Sequence, residues 1–163
     1  MPALSRESAD MLDHLMALPV EDARGFYRSL KPGAMHALMA RARREMGSPY
    51  AIWQRDPAGF VEDVLRVGLW STQRELLESI RDHERTAVPS THSASKSFTS
   101  ACAALWFGSV WPVGTAQVVT TAPRMRQVKT ILWPYIRRLH VAAGLPGVVQ
   151  TTQWKVGDEI VGF

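Results

Sequence analysis

The chain has 163 residues, 46% apolar and 21% charged, enough to bury a core and too mixed for a disordered or collagen-like polymer. A single cysteine, Cys102, excludes an intrachain disulfide framework and fits a reducing compartment, and no run reaches the roughly 18 apolar residues of a membrane span. The net charge of +4 is uneven: residues 1–95 hold 12 Lys/Arg against 13 Asp/Glu, a net of −1, whereas residues 96–163 hold 7 against 2, a net of +5. A basic second half suits phosphate or nucleic acid, and no membrane partner is expected.

The first eighty-odd residues read as helices. Ser5 is placed to cap a helix running to about Met16, with Leu12, Leu15 and Met16 on one side. Glu21 to Leu30 forms a second, bounded by Pro19 and by Lys31-Pro32-Gly33. Ala34 to Met46 carries Met35, Leu38, Met39, Ala42 and Met46 at helical spacing, stopped by Gly47-Ser48-Pro49. Asp56-Pro57 is a cap followed by a proline at the first helical position, and Ser71 is expected to cap the helix "TQRELLESIRDH", with Leu76, Leu77 and Ile80 inward.

After Glu84 the pattern changes. "RTAVPS", Arg85 to Ser90, is a short strand expectation broken at Pro89. "KSFTSACAALWFGSVW" is apolar enough for a buried helix, within which Cys102 is a small hydrophobe and Trp106 and Trp111 are core candidates. "AQVVTTAP" is a β-branched run, hence a second strand. "RMRQVKTILWPYIRRLHVAAG" returns to helical periodicity with Trp133 inward and a kink at Pro134, and "VVQTTQWKVGDEIVGF" is a hairpin turning at Gly157-Asp158. Strand, loop, helix, strand, helix predicts a βαβ unit with parallel pairing: an α/β fold preceded by a helical region and closed by a C-terminal β-hairpin.

Between the predicted first strand and the buried helix lies "AVPSTHSASKSF", which ends in Lys96-Ser97 as phosphate-binding loops do. In such a loop, backbone N–H groups wrap phosphate, a lysine bridges the β and γ positions, and a hydroxyl binds Mg2+. The two glycines expected of the pattern fall at Ser90 and Ser95, both small residues. Serine permits nearly the same close approach but is strained in a left-handed conformation. Upstream, Trp70 and Gln73 stand three apart in "LWSTQRELLESI". A glutamine amide pairs with adenine N6 and N7, and an aromatic offers a stacking surface. Downstream, "VVTTAPRMRQV" places Thr-Thr-Ala-Pro at the end of the second strand, where open α/β sheets bind ligands.

Trp70-x-x-Gln73, "VPSTHSASKSF" and "VVTTAP" with its following Gln127-Val128 together resemble the N-terminal ATPase domain of phage large terminase subunits, the viral DNA-packaging motors, over roughly Asp56 to Phe163. The resemblance implies that residues 1–55 are a variable N-terminal helical region and residues 56–163 the first part of a P-loop ATPase domain with an incomplete parallel sheet. It implies ATP and Mg2+ as cofactors, with Trp70 and Gln73 at adenine and Ser90, Thr91, His92, Ser93, Ala94, Ser95, Lys96 and Ser97 around the phosphates. The Ser97 hydroxyl is then the magnesium contact. Double-stranded DNA, the procapsid portal and the small terminase subunit are the implied partners, and the cytoplasm of an infected bacterium the implied location.

The chain differs from that family in four respects. Ser90 and Ser95 replace glycines, and His92 stands where large terminases often carry an arginine. The acidic strand that binds magnesium is absent, as is the carboxylate-rich nuclease domain; after Lys96 the acids are Asp158 and Glu159, which read as a hairpin turn. The expectation is therefore the amino-terminal part of a longer motor, with no complete catalytic set, weak ATP binding and negligible turnover. The alternatives are a fragment of another P-loop helicase-like motor, and a non-enzymatic remnant that no longer binds ATP. Arg124, Arg126, Lys129, Arg137 and Arg138, on one helix, are candidate DNA-phosphate contacts, and the five histidines show no metal-ligand spacing.

Overall fold

The helix signals of the first half become helices close to where the residues place them. The computed structural model describes residues 3–89 and 95–163, with side chains from Asp10 onward. Helices α1 (Ala3–Ala17), α2 (Val20–Ser29) and α3 (Pro32–Met46) pack through Leu12, Leu15, Tyr27, Leu38 and Ala42. Helix α1 starts ahead of Ser5, which lies in its first turn rather than capping it. Gly47 ends α3 at φ 77°, a left-handed conformation that glycine adopts without Cβ strain.

Helix α4 (Pro57–Asp63) opens as its sequence dictates: the Asp56 carboxylate accepts the Gly59 N–H at 2.8 Å, and Pro57 takes the first helical position. Helix α5 (Ser71–Asp82) begins one residue earlier than expected. Trp70 is its cap, because Gln73 at the third helical position reaches back and accepts the Trp70 N–H at 3.1 Å, so the Ser71 hydroxyl is not needed there. Leu77 is buried beneath α5, Ile80 packs at the edge of the core, and Leu76 is only half-covered.

Helix α6 (Lys96–Val110) is the centre of the molecule. It is apolar on most sides and is therefore covered on most sides: Ala101, Cys102, Leu105, Trp106 and Val110 are all buried. Trp111, just past its end, is not core but 38% exposed. The following helix is interrupted as Pro134 predicts. It runs as α7 (Met125–Gln127), widens into a π-helical stretch at Val128–Leu132, and resumes as α8 (Trp133–Ala143). Proline has no N–H to donate and its ring crowds the carbonyl four residues back, and the wider turn relieves both.

Strands β1 (Val148–Val149), β2 (Trp154–Val156) and β3 (Glu159–Gly162) form an antiparallel sheet in that order, with the β2–β3 turn at Gly157-Asp158 as expected. The whole is mixed α/β and mainly helical. Among the described residues, the parallel βαβ sheet expected at the loop is not formed. Arg85–Pro89 is not a strand: the Thr86 hydroxyl is tied to the Ser79 carbonyl at the end of α5 at 3.2 Å, and Val88 faces solvent. A parallel strand needs neighbours beside it and cover on both faces, and this segment has no strand to pair with among the described residues. The second predicted strand, "AQVVTTAP", contributes a single parallel bridge, Val118 to Gly162. Val118 N–H donates to Val161 O at 2.8 Å and Phe163 N–H to Val118 O at 3.0 Å.

The buried side chains from Leu12 in α1 to Val161 in β3 make one continuous core. Across the join near residue 56, Arg24 and the Tyr27 hydroxyl both donate to Asp56, Arg28 pairs with Glu62 and Asp63, and the Tyr27 and Trp53 rings meet edge-on at 5.5 Å.

Candidate functional site at the head of helix α6

Among the described residues only two non-glycines have positive φ, Arg66 and Ser95, and Ser95 is the position where a phosphate loop uses glycine. At φ 53° and ψ 16° it is left-handed, a conformation that costs a residue with a Cβ about 1–2 kcal/mol. Its carbonyl starts α6, accepting the Thr99 N–H at 2.9 Å and the Thr99 hydroxyl at 3.2 Å. A left-handed residue followed by a helical one turns consecutive N–H groups toward one concavity, a backbone nest that favours anions. Lys96 and Ser97 are the first two residues of α6, whose first turn carries no acid, so the positive end of the helix dipole is not neutralised there.

Gln73 comes to this turn from α5. Only 8% exposed, it donates from Nε2 to Ser95 Oγ at 2.9 Å while its Oε1 holds the Trp70 N–H, an arrangement that fixes which end of the amide is which. An amide has two N–H groups and two lone pairs. Among the described residues Gln73 spends one of each inside the protein, which leaves one of each, the donor–acceptor pair that adenine N7 and N6 require. Trp70, beside it, is 71% exposed and presents an open aromatic face. The structure thus brings together Trp70, Gln73, Ser95, Lys96 and Ser97. Ser90, Thr91, His92, Ser93 and Ala94 lie outside the described residues.

The strands aim at the same end. Glu159, at the start of β3, lies beside Gly114 beyond the C-terminus of α6, whereas Val161 lies against Gly108 within it, so β3 runs antiparallel to α6. The carboxyl ends of β3 and of the segment bridged to it in parallel at Val118 therefore point along α6 toward its Lys96 end. The same geometry keeps Asp158 and Glu159 at the opposite end of the 15-residue helix, about 20 Å from Lys96, in the hairpin turn predicted for them. A serine hydroxyl is a hard oxygen donor of the kind magnesium accepts alongside phosphate and water, so Ser97 fits the contact proposed for it.

The remaining candidates take structural places. Cys102 is fully buried, its thiol pushed up to about 12 by desolvation. His140 is buried with its ring edge on Trp154, and Nε2 donates to Pro146 O at 3.0 Å. No group of three His, Cys, Asp or Glu able to hold a metal occurs among the described residues. Arg124, Arg126, Lys129 and Arg138 are exposed, while Arg137 donates to Gln150 O at 2.9 Å and secures the loop before β2.

Sequence reasoning did not anticipate the Ser95 hydroxyl as the partner of Gln73. The two are 22 positions apart, and no periodicity links them. The left-handed requirement at Ser95 was the one available signal. No family model, curated protein or solved structure matches this chain.

Proposed function

We propose that this chain is the ATP-binding portion of a phage DNA-packaging motor, the large terminase subunit, with ATP phosphates at Ser95, Lys96 and Ser97, magnesium at the Ser97 hydroxyl and adenine between Trp70 and Gln73. The observation that carries this reading is Ser95: a serine holds the left-handed turn where the loop pattern calls for glycine, directly before the helix that begins with Lys96. Gln73, singled out for adenine from the sequence, sits against that residue with one donor and one acceptor that no other described residue engages.

The chemistry implied is binding and orientation. The first N–H groups of α6 and the Lys96 ammonium would neutralise phosphate charge, and magnesium, which the Ser97 hydroxyl would hold, would add further neutralisation of that charge. Hydrolysis also needs carboxylates for magnesium and water, and Asp158 and Glu159 stand at the wrong end of α6 for that role. Double-stranded DNA, the portal and the small subunit belong to this reading as partners.

Equilibrium dialysis with labelled ATP and Mg2+ tests it. The 163-residue chain is expected to bind ATP weakly, Lys96→Ala to weaken binding about tenfold or more through loss of a charge-assisted contact, and turnover to stay at background. Lack of ATP binding overturns the site. Turnover that disappears in Lys96→Ala overturns the assignment of catalysis to other segments.

A further inference from the structure

Gln73, assigned to adenine in the reading above, touches the phosphate end of the candidate site through Ser95 Oγ. We infer that it is a positioning residue for phosphate: its amide holds Ser95 in the left-handed turn that aims the first N–H groups of α6, so that binding of the bare phosphate chain depends on Gln73. This rests on the ATP-site reading above and adds to it a second role for the same side chain.

Glycine populates the left-handed region freely and would need no help at position 95. Serine is strained there, and a strained residue persists only where its surroundings over-determine it. Among the described residues, two restraints act on Ser95. Its carbonyl is locked into the first turn of α6 by Thr99, through both N–H and hydroxyl, and its hydroxyl is held by Gln73 Nε2 at 2.9 Å. The second restraint exists only because the residue is not glycine. Gln73 is in turn fixed by burial and by the Trp70 N–H, so it arrives at Ser95 already ordered. The replacement that breaks the glycine pattern thereby gains a partner that glycine cannot have. Since no other described residue engages the second N–H and lone pair of Gln73, base and phosphate need not compete for it.

The test uses a ligand without a base. Tripolyphosphate with Mg2+ is titrated calorimetrically into the full chain and into Gln73→Ala, Ser95→Ala, Ser95→Gly and the two Gln73→Ala double variants, with melting curves to verify folding. Losing one restraining hydrogen bond is expected to weaken tripolyphosphate about fivefold in Gln73→Ala and similarly in Ser95→Ala, which leaves the α5 cap intact. Their double variant is expected to lose no more than either single, because both remove one interaction. Ser95→Gly is expected to bind at least as tightly as the parent, and adding Gln73→Ala to it to change nothing. If Gln73→Ala loses ATP but keeps parental affinity for tripolyphosphate, Gln73 reads only the base: the positioning role fails and the ATP site stands. If the parent binds neither ligand in a Lys96-dependent way, the site itself fails and the positioning role with it.

Discussion

Asp56 shows how one residue type at one place does several things. Its carboxylate caps α4 through Gly59 and takes bonds from Arg24 Nε at 2.8 Å and the Tyr27 hydroxyl at 2.9 Å. Burial works against its ionisation, but the Arg24, Gly59 and Tyr27 bonds outweigh burial and hold the pKa below the usual carboxylate value of 3.8. For His140 burial also comes first, and it lowers the pKa from 6.5 against the opposing pull of the Pro146 carbonyl. A group whose folded pKa is depressed stabilises above its unfolded pKa and loses that contribution as pH falls toward the folded one. The melting temperature should therefore decline in two steps on acidification, the first starting near pH 6.5 from His140 and the second below about pH 4 from Asp56. His140→Gln should flatten the first step alone. Asp56→Asn, which strands Arg24 against a neutral partner, should cost about 3 kcal/mol at neutral pH in urea unfolding. A melting curve unchanged by Asp56→Asn would remove the join between α2 and α4 from the stability account.

At the scale of elements, the contact that decides the architecture is the hairpin on α6. Gly108 exists for it: a Cβ there would meet the Trp154 ring at 2.5 Å and Val161 at 2.9 Å. These are interior rings and branched side chains with little room to yield, so Gly108→Ala should destabilise by about 1–3 kcal/mol, as overpacking does. The same variant should disturb the near-ultraviolet signal of Trp154 before helix content falls, because the hairpin lifts while the bundle stays closed. Loss of helix and tryptophan signals together would show instead that the sheet and the helices unfold as one unit. Trp133 Nε1 donates to the Thr120 hydroxyl at 3.0 Å, fastening the interrupted helix to the segment that bridges β3. Helix, bridging segment and hairpin thus hold one another.

For the whole molecule, charge is the property that matters most for partners. The excess of five positive charges in residues 96–163 is carried largely by the helix after the second predicted strand, and Arg124, Arg126, Lys129 and Arg138 reach solvent from it. Arg137 does not belong with them, because its guanidinium is engaged with the Gln150 carbonyl. If these side chains meet DNA phosphate, binding to random double-stranded DNA should weaken with a log–log salt slope of about −0.9 per phosphate contacted. Arg124→Ala and Arg126→Ala should each reduce that slope by about 1, while Arg137→Ala should leave the slope unchanged and lower stability. A slope near zero would mean that these basic residues do not contact nucleic acid.

The sequence by itself determined the local events, and it did so where neighbouring residues carry the cause. The Asp56-Pro57 start, the Gly47 stop, the break ahead of Pro134, the Gly157-Asp158 turn and the all-round apolar α6 each follow from caps, ring sterics, permissive φ or periodicity within a few positions. Trp70, Gln73, Ser95, Lys96 and Ser97 were legible as candidates for the same reason: each has a chemistry that its spacing suggests. Apart from the local β2–β3 hairpin, strand pairing was not legible, because a strand is defined by a partner. Arg85–Pro89 has the composition of a strand and finds no neighbour, whereas Val118 finds one 44 positions away at Gly162. Only the tertiary structure decided that Trp111 faces solvent while Trp106 and Trp133 are buried, since all three sit in similar apolar surroundings along the chain. Only it, too, joined Gln73 to Ser95, since packing α5 against α6 converts a separation of 22 residues into a 2.9 Å hydrogen bond.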